Sequence, residues 1–273
     1  MHPLPDFPWN SLAAAKEKAA GHPDGLINLS VGAPVDPTPE VVTDALIAAT
    51  QAPGYPTVAG TDALRGSIVG YLARRWGSVG LGPEDVLPVI GTKELVGWLP
   101  LLVGVRPDDK IVIPQCAYPT YDVGGRAAEA EVICSDDPRD AAGAKLVWLN
   151  FPANPHGACA SDGLLREWVA ACRESGALLA ADECYLEFVW HGTQKSVLHP
   201  EICGGSAAGI LSVQSLSKRS NMAGYRAGFV AGDQGLIAQL TELRKHLGMI
   251  VPAPVQAAMI AALDDDQHVS AQR

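Results

Sequence analysis

From residue 85 onwards the chain alternates between short apolar runs of strand length and longer stretches of helical character. Strand-like runs fall near 86–90, 110–114, 131–134, 145–150, 177–181, 209–214 and 227–231, and helical stretches such as Leu164 to Glu174 lie between most of them. Short apolar runs closed by turn residues suit strands buried on both faces. A chain that reaches each new strand through a helix builds a largely parallel sheet covered on both sides. The predicted class is therefore α/β, a three-layer domain around a mostly parallel, seven-stranded sheet. Ligands of such sheets bind beyond the carboxyl ends of the strands. The residues that follow each strand are thus the ones to read for chemistry.

Those residues form five short words. Gly91-Thr92-Lys93-Glu94 follows the first strand and opens an apolar helix. Ala117-Tyr118-Pro119-Thr120-Tyr121 follows the second. Asn154-Pro155-His156-Gly157 comes after Leu146-Val147-Trp148-Leu149, and Asp182-Glu183-Cys184-Tyr185 after Ala177-Leu178-Leu179-Ala180. Ser215-Leu216-Ser217-Lys218 follows Gly209 to Val213, with Arg226 eight positions beyond the lysine. A lysine just past a buried strand is poorly hydrated, so its amine is more easily deprotonated and nucleophilic. Two serines and an arginine beside it can donate to a phosphate. An amine for an aldehyde beside a pocket for a phosphate describes a site for pyridoxal 5'-phosphate, PLP. Taken alone, Ser-x-Ser-Lys favours a surface lysine in a polar loop, and Asn-Pro is also an ordinary turn signal.

In this order the five words resemble the class I/II aminotransferases of PLP fold type I, from about Asn28-Leu29-Ser30-Val31-Gly32 to the end of the chain. The resemblance implies that Lys218 holds PLP as a Schiff base and, once freed, moves the substrate Cα proton. Asp182 would keep the pyridine nitrogen protonated, which makes the ring an electron sink. Asn154 and Tyr185 would bond the phenolic oxygen, and Tyr118 would stack on the ring. Thr92, the backbone at Lys93, Ser215, Ser217 and Arg226 would cradle the phosphate at a helix start. Tyr55 matches a tyrosine that reaches the phosphate of a neighbouring subunit, which implies a homodimer with shared sites. Gly32 and Asn154 are assigned to the substrate, Gly32 by close backbone approach to its carboxylate.

The longer words Leu4-Pro5-Asp6-Phe7-Pro8-Trp9, Ala181-Asp182-Glu183-Cys184-Tyr185 and Gly248-Met249-Ile250-Val251-Pro252 resemble the N-succinyldiaminopimelate aminotransferases of bacterial lysine synthesis. An amino donor and a keto-acid acceptor are the implied partners. An aminotransferase for another amino acid, a PLP-dependent C–S lyase and a PLP-binding regulator are the other readings. The regulator is the weakest, because no DNA-binding segment precedes the fold.

The formal net charge of −10, without a basic cluster, argues against nucleic acid or an anionic membrane as partner. The apolar stretch from Leu95 to Val105 is broken by Pro100 and is too short for a membrane helix. Met1-His2-Pro3-Leu4-Pro5-Asp6 lacks the pattern of a signal peptide, and the expected location is the cytoplasm. Cys116, Cys134, Cys159, Cys172, Cys184 and Cys203 form no C-x-x-C pair, so free thiols are expected rather than disulfides or a metal site.

Pro3, Pro5 and Pro8 suggest an extended arm. Asn10 or Ser11 is expected to cap a helix through Ala20, and Thr38-Pro39 another through Thr50. The organisation expected from the family is an arm and first segment of a small domain at 1–45, a large PLP-binding domain at 46–262, and the start of an interdomain helix at 263–273. By that comparison the remainder of the small domain, with the arginine that clamps the substrate carboxylate, lies outside these 273 residues. A polypeptide of these residues alone is then expected to bind PLP but to transaminate poorly.

Overall fold

The computed structural model describes residues 4–273. Met1, His2 and Pro3, on which part of the signal-peptide and arm readings rest, lie outside the described residues. In chain order the elements are α1 (Ala13–Ala20), α2 (Glu40–Ala48), α3 (Asp62–Trp76), β1 (Val86–Val89), α4 (Thr92–Leu102), β2 (Lys110–Ile113) and α5 (Thr120–Ala127). They continue with β3 (Glu131–Cys134), β4 (Ala144–Asn150), α6 (Asp162–Ser175), β5 (Leu178–Asp182), α7 (Pro200–Cys203), β6 (Ile210–Ser215) and α8 (Leu216–Arg219). The last are β7 (Gly228–Gly232), α9 (Gln234–Leu247), α10 (Ala253–Asp264) and α11 (Gln267–Gln272).

Among the described residues, seven strands form one sheet in the order β1-β7-β6-β5-β4-β2-β3. The pairs from β6 through β5, β4 and β2 to β3 are parallel, and β7 runs antiparallel to both its neighbours. Reversing β7 lets β1 point the same way as β6. Val89 at the end of β1 lies opposite Gly228, which also lies opposite Ser215 at the end of β6. Asn150 at the end of β4 lies opposite Asp182 at the end of β5. All four strands therefore deliver their last residues to one rim.

The strands alternate between two cores, because successive side chains leave a strand on opposite faces. Val147, Leu149, Leu179 and Ala181 pack with Leu64, Ile68 and Leu72 of α3, Trp168 of α6 and Met259 of α10. Leu146, Trp148, Leu178 and Ala180 pack with Leu95 and Leu99 of α4, Tyr121 of α5 and Leu240 of α9. The result is the expected three-layer α/β arrangement. Helix α2 spans residue 45, where a boundary was expected, and its Val42 lies in the first of these cores.

Two expected caps are corrected. Pro8 opens a 3-10 turn, Pro8–Leu12, that absorbs Asn10 and Ser11, and α1 starts after it without a side-chain cap. The Ser11 hydroxyl donates to the Pro8 carbonyl at 2.6 Å. Thr38 does not cap α2 either; its hydroxyl donates to the carbonyl of Asn221 at 3.0 Å. In both places a competing acceptor takes the hydroxyl that local sequence assigns to a helix start.

Candidate active site

Strand alternation separates two adjacent carboxylates at the end of β5. Asp182 continues the face of Leu178 and Ala180 towards α4 and α5, and Glu183 turns to the other side. Asp182 is buried. The Tyr121 hydroxyl donates to its Oδ2 at 2.8 Å, and the Cys184 N–H donates to its Oδ1 at 3.1 Å. Burial raises the Asp182 pKa, and the bonds from Cys184 and Tyr121 oppose that shift. Burial, then the Asp182 charge, drives the Tyr121 phenol far above its ordinary value, so it remains a donor. Tyr121 is itself stacked on Trp148, with ring centroids 5.0 Å apart.

Asn150 joins the neighbouring strand end to this group. Its amide donates to the Asp182 carbonyl at 2.9 Å, and its Oδ1 accepts from the Asn154 N–H at 2.7 Å. Asn154 is thereby fixed on the same rim and half-buried. Glu183, on the far face, accepts from Ser196 Oγ, the Val197 N–H, Ser212 Oγ and Gln214 Nε2. Burial still pushes its carboxyl up to about 6.

Lys218 lies in α8, a single turn directly after β6. Ser215 caps that turn, its hydroxyl accepting from the Ser217 N–H at 3.1 Å. The Lys218 ammonium donates to the Gly32 carbonyl, which brings the predicted substrate glycine to the predicted cofactor lysine. Burial lowers the lysine pKa; the Cys184 thiol opposes this and the Arg226 charge adds to it. Arg226, with a left-handed φ of 54°, lays its guanidinium against Gly91. A Cβ on Gly91 would lie 2.2 Å from Arg226 Nη2, and Gly91 itself has φ +71°, so only glycine suits this place. Gly91 precedes α4, whose first N–H groups have no partner within the helix. Thr92 Oγ1 lies 3.4 Å from Cys184 Sγ, which ties the start of α4 to the loop after Asp182.

Tyr118 is half-buried and meets the Tyr121 ring edge-on at 5.9 Å between centroids. Tyr185 is half-buried, and burial, with smaller contributions from Cys184, Asp182 and Tyr118, pushes its phenol up to about 12. Ser217 is half-buried beside Lys218. The Lys93 side chain is exposed and holds its ammonium 5.2 Å over the Phe7 ring, so it turns towards the N-terminal arm. Tyr55 is fully exposed. Tyr55 and the Lys93 side chain thus stand apart from the cluster that the other predicted residues form.

Sequence reasoning gave no role to Tyr121, Asn150 or Cys184. One signal was present: Tyr118 and Tyr121 are three residues apart at a helix start, a spacing that puts two rings on one face.

These residues fit PLP. A phosphate calls for converging N–H donors and positive charge, which the start of α4 and Arg226 provide in van der Waals contact. A protonated pyridine nitrogen calls for a buried carboxylate, and Asp182 is one. An aldehyde calls for an amine that loses its proton readily, and the Lys218 pKa is lowered.

Comparison with known proteins gives the same family. Residues 24–273 match the model of the aminotransferases of class I and II. The chain is 53% identical over its full length to the 4-dedimethylamino-4-oxo-anhydrotetracycline transaminase OxyQ of Streptomyces rimosus, of which it covers 76%. It is also 53% identical, over 99% of its length, to a probable aminotransferase of Mycobacterium tuberculosis, of which it covers 65%. Among solved structures, a probable N-succinyldiaminopimelate aminotransferase of Thermus thermophilus aligns over 94% of this chain and 73% of that one, with a TM-score of 0.84 and 30% identity.

Proposed function

The chain belongs to the class I and II aminotransferases, and we propose that it exchanges an amino group between N-succinyl-LL-2,6-diaminopimelate and 2-oxoglutarate. The observation that carries amino transfer is the rim itself, where a lysine of lowered pKa, a buried carboxylate with a tyrosine donor, and an arginine against a helix start converge. The succinylated substrate is supported by the likeness to the Thermus thermophilus structure and by the sequence words shared with that group.

PLP, when bound, supplies an aldehyde that condenses with amines and a ring that accepts the electrons released at the substrate Cα. Lys218 would hold the cofactor through Nζ and, when displaced, carry a proton to and from Cα. Asp182 would hold a proton on the pyridine nitrogen, and Tyr121 would keep Asp182 in place. Thr92, the Lys93 backbone, Ser215, Ser217 and Arg226 would bind the phosphate. Asn154 and Tyr185 would bond the ring oxygen, and Tyr118 would lie on the ring face. The Gly32 backbone would orient the substrate carboxylate. We assign the chain to a cytoplasmic homodimer in which Tyr55 serves the partner's site.

A second reading comes from the 53% identity to the tetracycline-pathway transaminase, which favours a polycyclic keto acceptor. A screen of amino donors and keto acceptors on the full-length protein separates the two. Turnover with the succinylated substrate and none with a 4-oxo-anhydrotetracycline supports the first; the reverse pattern replaces it. Release of ammonia and thiol, in place of a keto acid and a new amino acid, would remove both.

A further inference from the structure

We propose that His268 is a positioning residue for Lys218: in its neutral form it holds the turn that presents the lysine amine, and its protonation lets that turn loosen. The functional part of this rests on Lys218 being the cofactor lysine. The observation is that three consecutive residues of the turn are each bonded to the same distant pair of helices. The Lys218 carbonyl accepts from Gln272 Nε2 of α11 at 3.1 Å. Arg219 Nη1 donates to the Ala262 carbonyl of α10 at 2.8 Å. Ser220 Oγ lies 2.9 Å from His268 Nε2, and His268 Nδ1 lies 3.1 Å from Asp265 Oδ2. A helix of one turn has little stability of its own, so these external bonds decide how firmly Lys218 is held.

The partners assign the hydrogens. An ionised Asp265 can only accept, so Nδ1 carries the imidazole hydrogen. Nε2 is then bare and accepts the Ser220 hydroxyl. Ser220 Oγ in turn accepts from Arg219 Nη1 at 3.1 Å. The chain of bonds is complete only while His268 is neutral. A second hydrogen on Nε2 would set two donors, His268 and Arg219, on one hydroxyl oxygen, and Ser220 would lose its acceptor.

Burial and the Arg219 charge make that state costly, against the two neighbouring carboxylates. Arg219 of α8 faces the imidazole and is itself buried, with its guanidinium 4.7 Å over the Tyr71 ring. Asp265 and Asp266 face the imidazole from its own segment. Asp266 is engaged by Arg74 of α3 at 2.8 Å and lies 4.0 Å from Arg75. Glu187 is taken by Arg75 at 2.6 Å and lies 3.7 Å from Arg219 Nε, while Asp266 lies 3.8 Å from Arg219 Nη2. Burial, then Arg219, holds the His268 pKa below its ordinary value, against Asp265 and Asp266.

The test is hydrogen exchange of residues 216–222 in the full chain, with strand 178–182 as internal reference. His268→Ala removes the acceptor and should lower protection of the turn about fivefold, the net worth of one hydrogen bond. His268→Gln keeps an uncharged carbonyl acceptor within reach of Ser220 and should leave protection at neutral pH as in the wild type. Acidification should loosen the turn in the wild type and not in His268→Gln. In PLP titrations trapped with borohydride, His268→Ala should need about fivefold more cofactor to label Lys218 halfway, with His268→Gln restored. Equal protection of the turn in all three proteins would overturn the proposal, as would a loss shared equally by 178–182. Borohydride labelling of another lysine in the wild type would instead strike the cofactor reading, whatever the exchange result.

Discussion

At the residue scale, the end of β5 shows how one step along a strand gives neighbouring carboxylates different work. Asp182 has two donors and faces the rim; Glu183 has four and faces the core of α3, α6 and α10. Replacing Asp182 by Ala should cost roughly 100-fold or more in turnover, because the proposed preorganised charge for the pyridine nitrogen would be lost. Tyr118→Phe keeps the ring face and should lose far less, and comparable losses in steady-state assays would contradict these roles. Glu183 gives a prediction on pH. Burial pushes its carboxyl up to about 6 in the folded chain, from an ordinary value of 4.5. A raised pKa means that the folded chain binds the proton more tightly than the unfolded one. This contribution to stability is present below about 4.5 and fades as pH rises through about 6. Wild type should therefore lose about 2 kcal/mol relative to Glu183→Gln over that window, measured as the difference between their urea unfolding free energies. A constant difference would show that the carboxyl titrates as an exposed one does.

At the scale of elements, the start of α4 is held from two directions. Arg226 closes on Gly91 from the rim. From the side, Arg244 of α9 reaches Glu94 in the first turn of α4 with Nη1 at 2.9 Å and Nη2 at 3.1 Å. Arg244 is completely buried. Glu94→Gln would strand a buried guanidinium and should destabilise the fold by about 3–5 kcal/mol, whereas Arg244→Met combined with Glu94→Leu should recover much of that. Denaturant midpoints of the two variants check this; equal losses would mean that packing matters here and the ion pair does not. The strands were legible from sequence because each is a short apolar run between turn residues. The helix starts at Ser11 and Thr38 were not, since the Pro8 and Asn221 carbonyls, one local and one 183 residues away, take those hydroxyls. The same limit hid Tyr121: its partner Asp182 is 61 residues off, and only the strand order brings them together.

At the scale of the whole molecule, the sheet sets the cluster on one rim, yet Tyr55 is left fully exposed, and Ile27, Leu29, Val31 and Val35 expose most of their apolar surface. Exposed apolar side chains of this kind suit burial against another body. The resemblance assigns Tyr55 to a phosphate site, and on its own chain the ring is fully exposed. If the covering body is a second copy, each site takes Lys218 from one subunit and Tyr55 from the other. Tyr55→Ala and Lys218→Ala homodimers should then both be impaired. Mixing them should restore about half of the heterodimers' sites, since one site of each pair inherits both lesions and the other inherits neither. Activity recovered in purified heterodimers, at about half the wild-type value per dimer, is the expected outcome. No recovery in verified heterodimers would place Tyr55 and Lys218 in the site of one and the same chain.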